Sequence, residues 1–201
     1  LYRQKLGEIW QELVVFLDKN NIRNFSIWNC RSLIFGYCET EEKKDLYTAA
    51  QEQISPLITQ MEHIVTWIST PGQNMRLMYH NFGIVRENKE LIRHRMFMTK
   101  LKPGCEEEYK ARHDALIEKR GAVPDPGPDS NFSIWSAGGY IFGYDEIDTS
   151  MEVEETPEAH METVAWESRQ LEIMDWITND VDWLTETCHP ASMRLAWHAG
   201  R

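Results

Sequence analysis

Two side chains that could carry out proton chemistry stand four residues apart near the middle of the chain. Tyr109 and His113 lie within Glu106–Arg120, where Leu116 and Ile117 continue the same spacing, so an amphipathic helix is predicted with all four side chains on one face. Histidine titrates near neutrality and can act as a general acid or base, and a tyrosine phenol one turn away can orient a polar ligand or relay a proton. A helix histidine that only hydrogen-bonds at a domain boundary is the structural alternative.

The segments predicted to pack around this helix recur as two similar copies along the chain. Two aromatic motifs recur at one constant offset, and a third pair closes each copy; the pairs are Asn24–Trp28 with Asn131–Trp135, Leu33–Tyr37 with Tyr140–Tyr144, and Met75–His80 with Met193–His198. Such self-similarity indicates a duplicated domain. We therefore predict a first repeat over residues 1–85 and a second, site-bearing repeat over residues 86–201.

The second repeat shows the fuller order of elements. Turn signals and periodicity predict strand Arg95–Leu101, helix Glu106–Arg120, a hairpin of strands Asn131–Ser136 and Tyr140–Glu146, helix Ala159–Leu184 and strand Met193–His198. This order is the split βαβ arrangement of ferredoxin-like domains.

The first repeat follows the same order but lacks the opening strand. It is predicted to contain helix 1–20, strands Asn24–Cys30 and Leu33–Glu39, helix Glu41–Trp67 and strand Met75–His80, with Asn81–His94 as the linker to the second repeat. The predicted fold is α+β: two ferredoxin-like βαββαβ repeats packed within one chain as a pseudo-dimeric α/β barrel.

Composition limits the classes of function. The chain has 201 residues, of which 42% are hydrophobic and 26% charged, and a formal net charge of −11, which disfavours nucleic acid and anionic membranes as partners. We expect no membrane-spanning segment, no signal peptide, and hence a cytoplasmic protein. The four cysteines and the carboxylates of 154–162 match no zinc, disulfide or calcium pattern, so no metal site is predicted.

Four features together resemble the L-rhamnose mutarotase family, across essentially all of both repeats. They are Tyr109 and His113 on the helix, the strand that begins Asn131-Phe132-Ser133-Ile134, the Phe142-Gly143-Tyr144 motif, and Trp176, which is expected on the second helix. Members of the family are small dimeric ferredoxin-like barrels that interconvert the α and β anomers of a free sugar without a metal or organic cofactor.

The resemblance implies roles for individual residues. His113 would be the proton donor, and Tyr109, Phe132 and the Asp175-Trp176 pair would contact a monosaccharide. The family pattern has tyrosine at the position of Phe132 and a second tryptophan at the position of Asp175. In the first repeat Leu6 stands where His113 is expected, so that repeat is predicted to be a pseudo-protomer that completes the fold.

Other interpretations of the sequence remain open. Histidine can both remove the proton of an anomeric hydroxyl and return one to the ring oxygen, which favours a mutarotase of L-rhamnose or a related sugar. A non-catalytic sugar-binding protein is one alternative, and a different enzyme of oxygenase or cyclase type on the same scaffold is another. A further homo-oligomer of the pseudo-dimer is compatible with each.

Overall fold

The computed structural model describes residues 1–30, 32–42, 45–86, 88–177, 181–182, 187–188 and 193–199, with the backbone alone at residue 89 and from 181 onward. The helices are α1 (Tyr2–Lys19), α2 (Leu46–Glu62), α3 (Glu106–Arg120) and α4 (Pro157–Gln170). The strands are β1 (Arg23–Cys30), β2 (Leu33–Glu39), β3 (Arg76–Gly83), β4 (Ile92–Leu101), β5 (Asp129–Ala137), β6 (Tyr140–Asp148), β7 (Met174–Trp176), β8 (Val181–Asp182), β9 (Thr187–Cys188) and β10 (Met193–Ala199). A 3-10 helix, Lys89–Leu91, precedes β4.

The chain forms two compact units, and the larger one, Met75–Met193, carries a five-stranded antiparallel sheet in the order β3-β5-β6-β4-β7. Within this unit, β4, α3, β5, β6, α4 and β7 follow one another as βαββαβ. The mixed α+β class is as predicted, and the order of these elements is compatible with a ferredoxin-like fold.

The core of this larger unit lies between α3 and one face of the sheet. Tyr109 of α3 is buried against Met78, Leu101, Ile134 and neighbouring apolar side chains of β3 to β6. A helix with one apolar stripe gains stability by burying that stripe on a sheet, and this packing fixes which face of α3 points inward.

The last strand of each predicted repeat lies in the sheet of the other unit. β3, from the first repeat, pairs with β5, and β10, from the second repeat, neighbours β1 in the three-stranded sheet β10-β1-β2. The prediction that Met193–His198 closes its own repeat is therefore wrong. The edge of β4 where a closing strand would lie is instead paired with β7.

The smaller unit comprises Leu1–Asn74 and Arg194–Arg201. Its helices α1 and α2 pack together through two apolar clusters, one containing Phe16, Leu17 and Ala50, the other Leu6 and Leu57. Because the last strands are exchanged, the two units do not coincide with the repeats 1–85 and 86–201.

Both second helices are shorter than predicted. Helix α4 ends at Gln170 instead of Leu184, and the carbonyls that follow accept hydrogen bonds from Lys102 Nζ, at 2.8 Å to Leu171 O and 3.1 Å to Glu172 O. The chain then turns and Met174 pairs with Leu101, which satisfies the open edge of β4. Trp176 therefore lies on a strand and not on the second helix.

In α2, the backbone leaves helical geometry at Ile54, two residues before Pro56. Proline lacks an N–H and its ring clashes with the carbonyl four residues earlier, so the helix is kinked there. No helix among the described residues is long and apolar enough to cross a membrane.

Candidate functional site

Helix α3 has the ends that its sequence predicts. Glu106, Glu107 and Glu108 occupy its first turn, and Lys119 and Arg120 its last turn, which is the charge distribution that the helix macrodipole favours. Gly121 ends the helix with φ of 66°, a conformation that glycine adopts without steric cost. The predicted bounds Glu106–Arg120 are confirmed.

His113 is held in one orientation on the inner face of this helix. Its side chain is 4% exposed, and Nδ1 lies 2.9 Å from the carbonyl oxygen of Tyr109. A carbonyl can only accept, so Nδ1 carries the hydrogen and Nε2 keeps its lone pair in the neutral ring. Burial lowers the pKa of His113 from its ordinary value, against the opposing effect of the bond to Tyr109. Burial therefore favours the neutral imidazole, whose Nε2 carries the lone pair.

Three aromatic rings from three elements surround the imidazole. The ring centroid of Tyr109 lies 4.3 Å away, that of Trp166 on α4 lies 5.4 Å away, and that of Tyr79 on β3 lies 5.6 Å away. The Trp166 and Tyr79 rings stand edge to face with His113, which aromatic rings prefer over a parallel sandwich. Arg120 donates a hydrogen bond of 3.1 Å to the Tyr79 hydroxyl and fixes that ring in turn.

A second group of aromatic rings continues from Tyr79 across the sheet. Phe132 lies 5.5 Å from Tyr79 and 6.1 Å from Phe97, and Phe97 lies 6.5 Å from Trp176, all measured between centroids. These rings provide the broad apolar faces on which a sugar ring can stack.

Gly143 makes room for Phe97 in this group. A Cβ built on Gly143 would fall inside the Phe97 ring, which lies directly opposite it in the β4–β6 register. Only glycine allows the ring this close to the sheet.

A charged pair borders the aromatic group. Arg95 donates a hydrogen bond of 2.7 Å to Oδ2 of Asp145, and its guanidinium carbon lies 6.0 Å from the centroid of Phe132. Asp145 is fully buried, and no described N–H or O–H group donates to its Oδ1, although the Asp129 carboxyl lies close enough to share a hydrogen bond with Asp145 when one of the two is protonated. Burial raises the pKa of Asp145 to about 8, with Arg95 opposing the rise and Asp129 adding to it.

Glu167 on α4 places a second carboxyl near the same arginine. Its Oε2 is buried and has no hydrogen-bond partner within the described part of the chain. Burial raises the pKa of Glu167 to about 7, and Arg95 opposes this rise. The carboxyl also acts on Tyr109, whose pKa is raised by burial and, to a lesser extent, by this neighbouring charge.

The structure brings together four of the five side chains that the sequence analysis proposed. Tyr109 and His113 are in contact, and Phe132 and Trp176 join them through Tyr79 and Phe97. Asp175 differs: it is exposed, because neighbouring residues of a strand point to opposite faces and Trp176 is the one that packs on the core.

Several residues of the site were not predicted from the sequence. Tyr79 belongs to the predicted first repeat, and only the strand exchange brings it beside His113. Arg95 and Glu167 carried no signal in the sequence, because Arg95 follows Arg93 and His94, and Glu167 shares its helix with several other charged residues. Among the described residues, no group of three histidine, cysteine, aspartate or glutamate side chains could hold a metal ion.

The larger unit thus presents a βαββαβ layer with a buried, oriented histidine among aromatic rings and buried carboxyls. These features define an α+β protein with an oriented histidine and two carboxyls of raised pKa in its larger unit. The chain belongs to the L-rhamnose mutarotase family, whose model matches residues 94–198, just over half of the chain. This membership supports a sugar mutarotase-like enzyme of the isomerase type. Neither the curated proteins nor the solved structures gave a significant match.

Proposed function

We propose that this protein interconverts the α and β anomers of L-rhamnose or a related free sugar by proton transfer at His113. Ring opening requires that the anomeric hydroxyl lose a proton while the ring oxygen gains one, and reclosure on the other face reverses both transfers. The reaction transfers no electrons and no chemical group, so its chemistry calls for no redox cofactor.

The state of His113 is the observation that carries this proposal. The bond from Nδ1 to Tyr109 O, at 2.9 Å, orients the ring, and burial keeps it neutral, so Nε2 is a defined proton acceptor. A histidine that served only as a structural bridge would be expected to use both nitrogens within the protein. Here the rest of the ring faces the side chains of Tyr79 and Trp166.

The surroundings of His113 suit a sugar. Aromatic faces bind the apolar C–H face of a pyranose, and buried polar atoms without partners are costly unless a ligand satisfies them. Within the described residues two such atoms, Asp145 Oδ1 and Glu167 Oε2, belong to carboxyls that interact with Arg95 beside the aromatic group. The hydroxyl groups of a monosaccharide can donate to and accept from these atoms. Tyr109, Phe132 and Trp176 are proposed as sugar contacts, and Asp175, which points to the other face of β7, is not.

We also propose that the chain arose by duplication, with repeats over residues 1–85 and 86–201 and a first repeat that has lost its own site. Two backbone details support the duplication: Asn24 and Asn131, at matching positions, both have positive φ, of 46° and 50°. Each lies in a register shift of its hairpin, between Arg23 and Ser26 and between Ser130 and Ser133. Bulges at the same place in two sheets are expected of a common origin.

The first repeat has an apolar residue where the second has its histidine. Leu6 is buried on α1 with Ile9 and Leu57, and leucine cannot transfer a proton. We propose that this repeat forms an intrachain pseudo-dimer with the second and that the enzyme acts in the cytoplasm, where a free monosaccharide is its partner.

The direct test is anomer exchange, followed by proton NMR saturation transfer with L-rhamnose, L-fucose, galactose and glucose, with protein and in buffer alone. The proposal expects faster exchange of at least one sugar. Binding of a sugar without faster exchange would instead support the non-catalytic sugar-binding alternative, and no effect on any sugar would support the different-enzyme alternative.

A further inference from the structure

The Glu167 carboxyl has no role in the packing of the fold that explains its position. Its Oε2 is buried without a hydrogen-bond partner in the described ranges, and Glu167 forms no ion pair closer than 4 Å with a described side chain. Glu167 is half-buried, and a carboxyl oxygen that is buried without a partner costs free energy, so its retention calls for a reason outside folding.

Glu167 lies beside the site. The preceding residue, Trp166, stands edge-on to His113 at 5.4 Å. The carboxyl acts electrostatically on Tyr109, whose ring is 4.3 Å from His113, and Arg95 acts on the carboxyl from the sheet. Glu167 therefore stands on the turn of α4 that contacts His113 through Trp166.

His113 can offer only one nitrogen to a ligand. Nδ1 is committed to Tyr109 O, so Nε2 alone can exchange a proton. Anomer interconversion needs proton transfer at two different oxygens, the anomeric oxygen and the ring oxygen. One nitrogen in a fixed ring can serve both oxygens only in successive steps, so a concerted ring opening needs a second proton-transfer group, from the protein or from water.

We propose that Glu167 is the second proton-transfer group of this site and works opposite His113 on the bound sugar. This inference rests on the proposed function. In ring opening, His113 Nε2 takes the proton of the anomeric hydroxyl, whose O–H electron pair becomes the second bond of the C1 carbonyl. The bond from C1 to the ring oxygen breaks, its electron pair stays on that oxygen, and the oxygen takes the proton of the Glu167 carboxylic acid.

Reclosure on the opposite face reverses each transfer. The Glu167 carboxylate removes the proton from the former ring oxygen, which attacks C1, and the His113 imidazolium returns its proton to the carbonyl oxygen. At the start and at the end, His113 Nε2 is unprotonated and the Glu167 carboxyl carries the transferable proton. Both directions of the reaction therefore use the same two groups.

The local electrostatics support this assignment. Burial lowers the pKa of His113 and raises that of Glu167 to about 7, so near neutrality the form with a neutral imidazole and a protonated carboxyl is well populated. Glu167 interacts electrostatically with Tyr109 from α3 and with Arg95 from β4, and Arg95 is itself held by Asp145 from β6.

The test replaces Glu167 by glutamine, which keeps the shape and cannot transfer the proton. We expect Glu167→Gln to slow anomer exchange by about 100-fold or more, as loss of a general acid does, with the sugar Kd and the Tm close to wild type. Glu167→Asp should recover part of the rate. Glu162→Gln, an exposed position on the same helix, is the matched control and should keep the wild-type rate.

The outcomes separate the two proposals. Exchange that is fast in the wild type, lost in a His113 variant and unchanged in folded Glu167→Gln would overturn the role of Glu167 and leave the mutarotase proposal intact. A wild-type protein that accelerates the exchange of no sugar would overturn both. A slow Glu167→Gln variant whose Kd and Tm are unchanged would support both.

Discussion

The ring of Tyr79 stands edge to face with the imidazole of His113, with 5.6 Å between their centroids. The two residues come from different predicted repeats, and they meet because strand β3 joins the sheet of the unit that contains His113. The strand that closes the first repeat thus supplies a wall of the candidate site.

This relationship predicts a graded effect of substitutions at Tyr79. Tyr79→Leu removes the edge-to-face contact, worth about 0.5–1.5 kcal/mol, and should slow anomer exchange roughly two- to tenfold if the contact orients His113 in the transition state. Tyr79→Phe keeps the ring and should retain most of the rate. Equal rates in the leucine and phenylalanine variants, measured by NMR saturation transfer, would show that the ring does not position the imidazole.

The close approach of Phe97 to Gly143 predicts a large loss of stability on adding one methyl group. Gly143→Ala should lower the free energy of unfolding by about 1–3 kcal/mol or more, because the Cβ would overlap the Phe97 ring. Gly36→Ala, at the matching position of the first repeat, is the control. A Cβ there meets only Ser26 O, at an ordinary 3.6 Å. Urea unfolding of both variants measures the two losses of unfolding free energy. Equal losses in Gly143→Ala and Gly36→Ala would contradict the packing of Phe97 against Gly143.

The raised pKa of Asp145 predicts that the free energy of unfolding depends on pH. Its folded-state pKa of about 8 lies above the ordinary value, so its contribution to stability is fully present below about pH 4 and is lost as the pH rises through about 8. Between pH 7 and 9, the free energy of unfolding should fall less steeply in Asp145→Asn than in the wild type.

The matched control for this titration is Asp148→Asn on the same strand. Hydrogen bonding by Ser150 lowers the pKa of Asp148, so Asp148 stays ionised between pH 7 and 9. In Asp148→Asn the free energy of unfolding should therefore fall with pH as steeply as in the wild type. If the free energy of unfolding of Asp145→Asn falls with pH as steeply as that of the wild type, Asp145 is already ionised at pH 7.

The packing of Leu6 predicts a substitution that acts on stability alone. Leu6→Ala should destabilise the protein by about 2–5 kcal/mol, as truncation of a buried leucine does, because it opens a cavity against Ile9 and Leu57. Anomer exchange measured well below the Tm should match the wild type, since Leu6 is not proposed to transfer protons. A strong loss of exchange in the folded variant would give the first repeat a direct part in the chemistry.

The sequence predicted those helices and hairpins whose bounds are set by neighbouring residues in the chain. Helix α3 has the predicted bounds because its periodicity, its charged ends and Gly121 all agree, and the β5–β6 hairpin follows from its glycine turn and aromatic alternation. The contact of Tyr109 with His113 follows from the helix alone.

What the sequence did not reveal depends on pairing across long distances. The apolar side chains of 171–184 fit a helix as well as strands, and the open edge of β4 is what selects β7. The exchange of β3 depends on which sheet edge accepts it, and no residue type marks that choice. The burial of the Glu167 Oε2 atom likewise depends on how α4 packs. The sequence does not distinguish Glu167 from the other glutamates of this region.

The most direct test of the account is the rate of anomer exchange in His113→Asn. Asparagine can still donate to Tyr109 O, so the fold should be kept, but it cannot accept or return a proton. We predict a loss of about 100-fold or more relative to the wild type, measured well below the Tm of the variant, while His63→Asn at an exposed position keeps the full rate. Exchange at the wild-type rate in folded His113→Asn would contradict the central claim that this histidine transfers the proton.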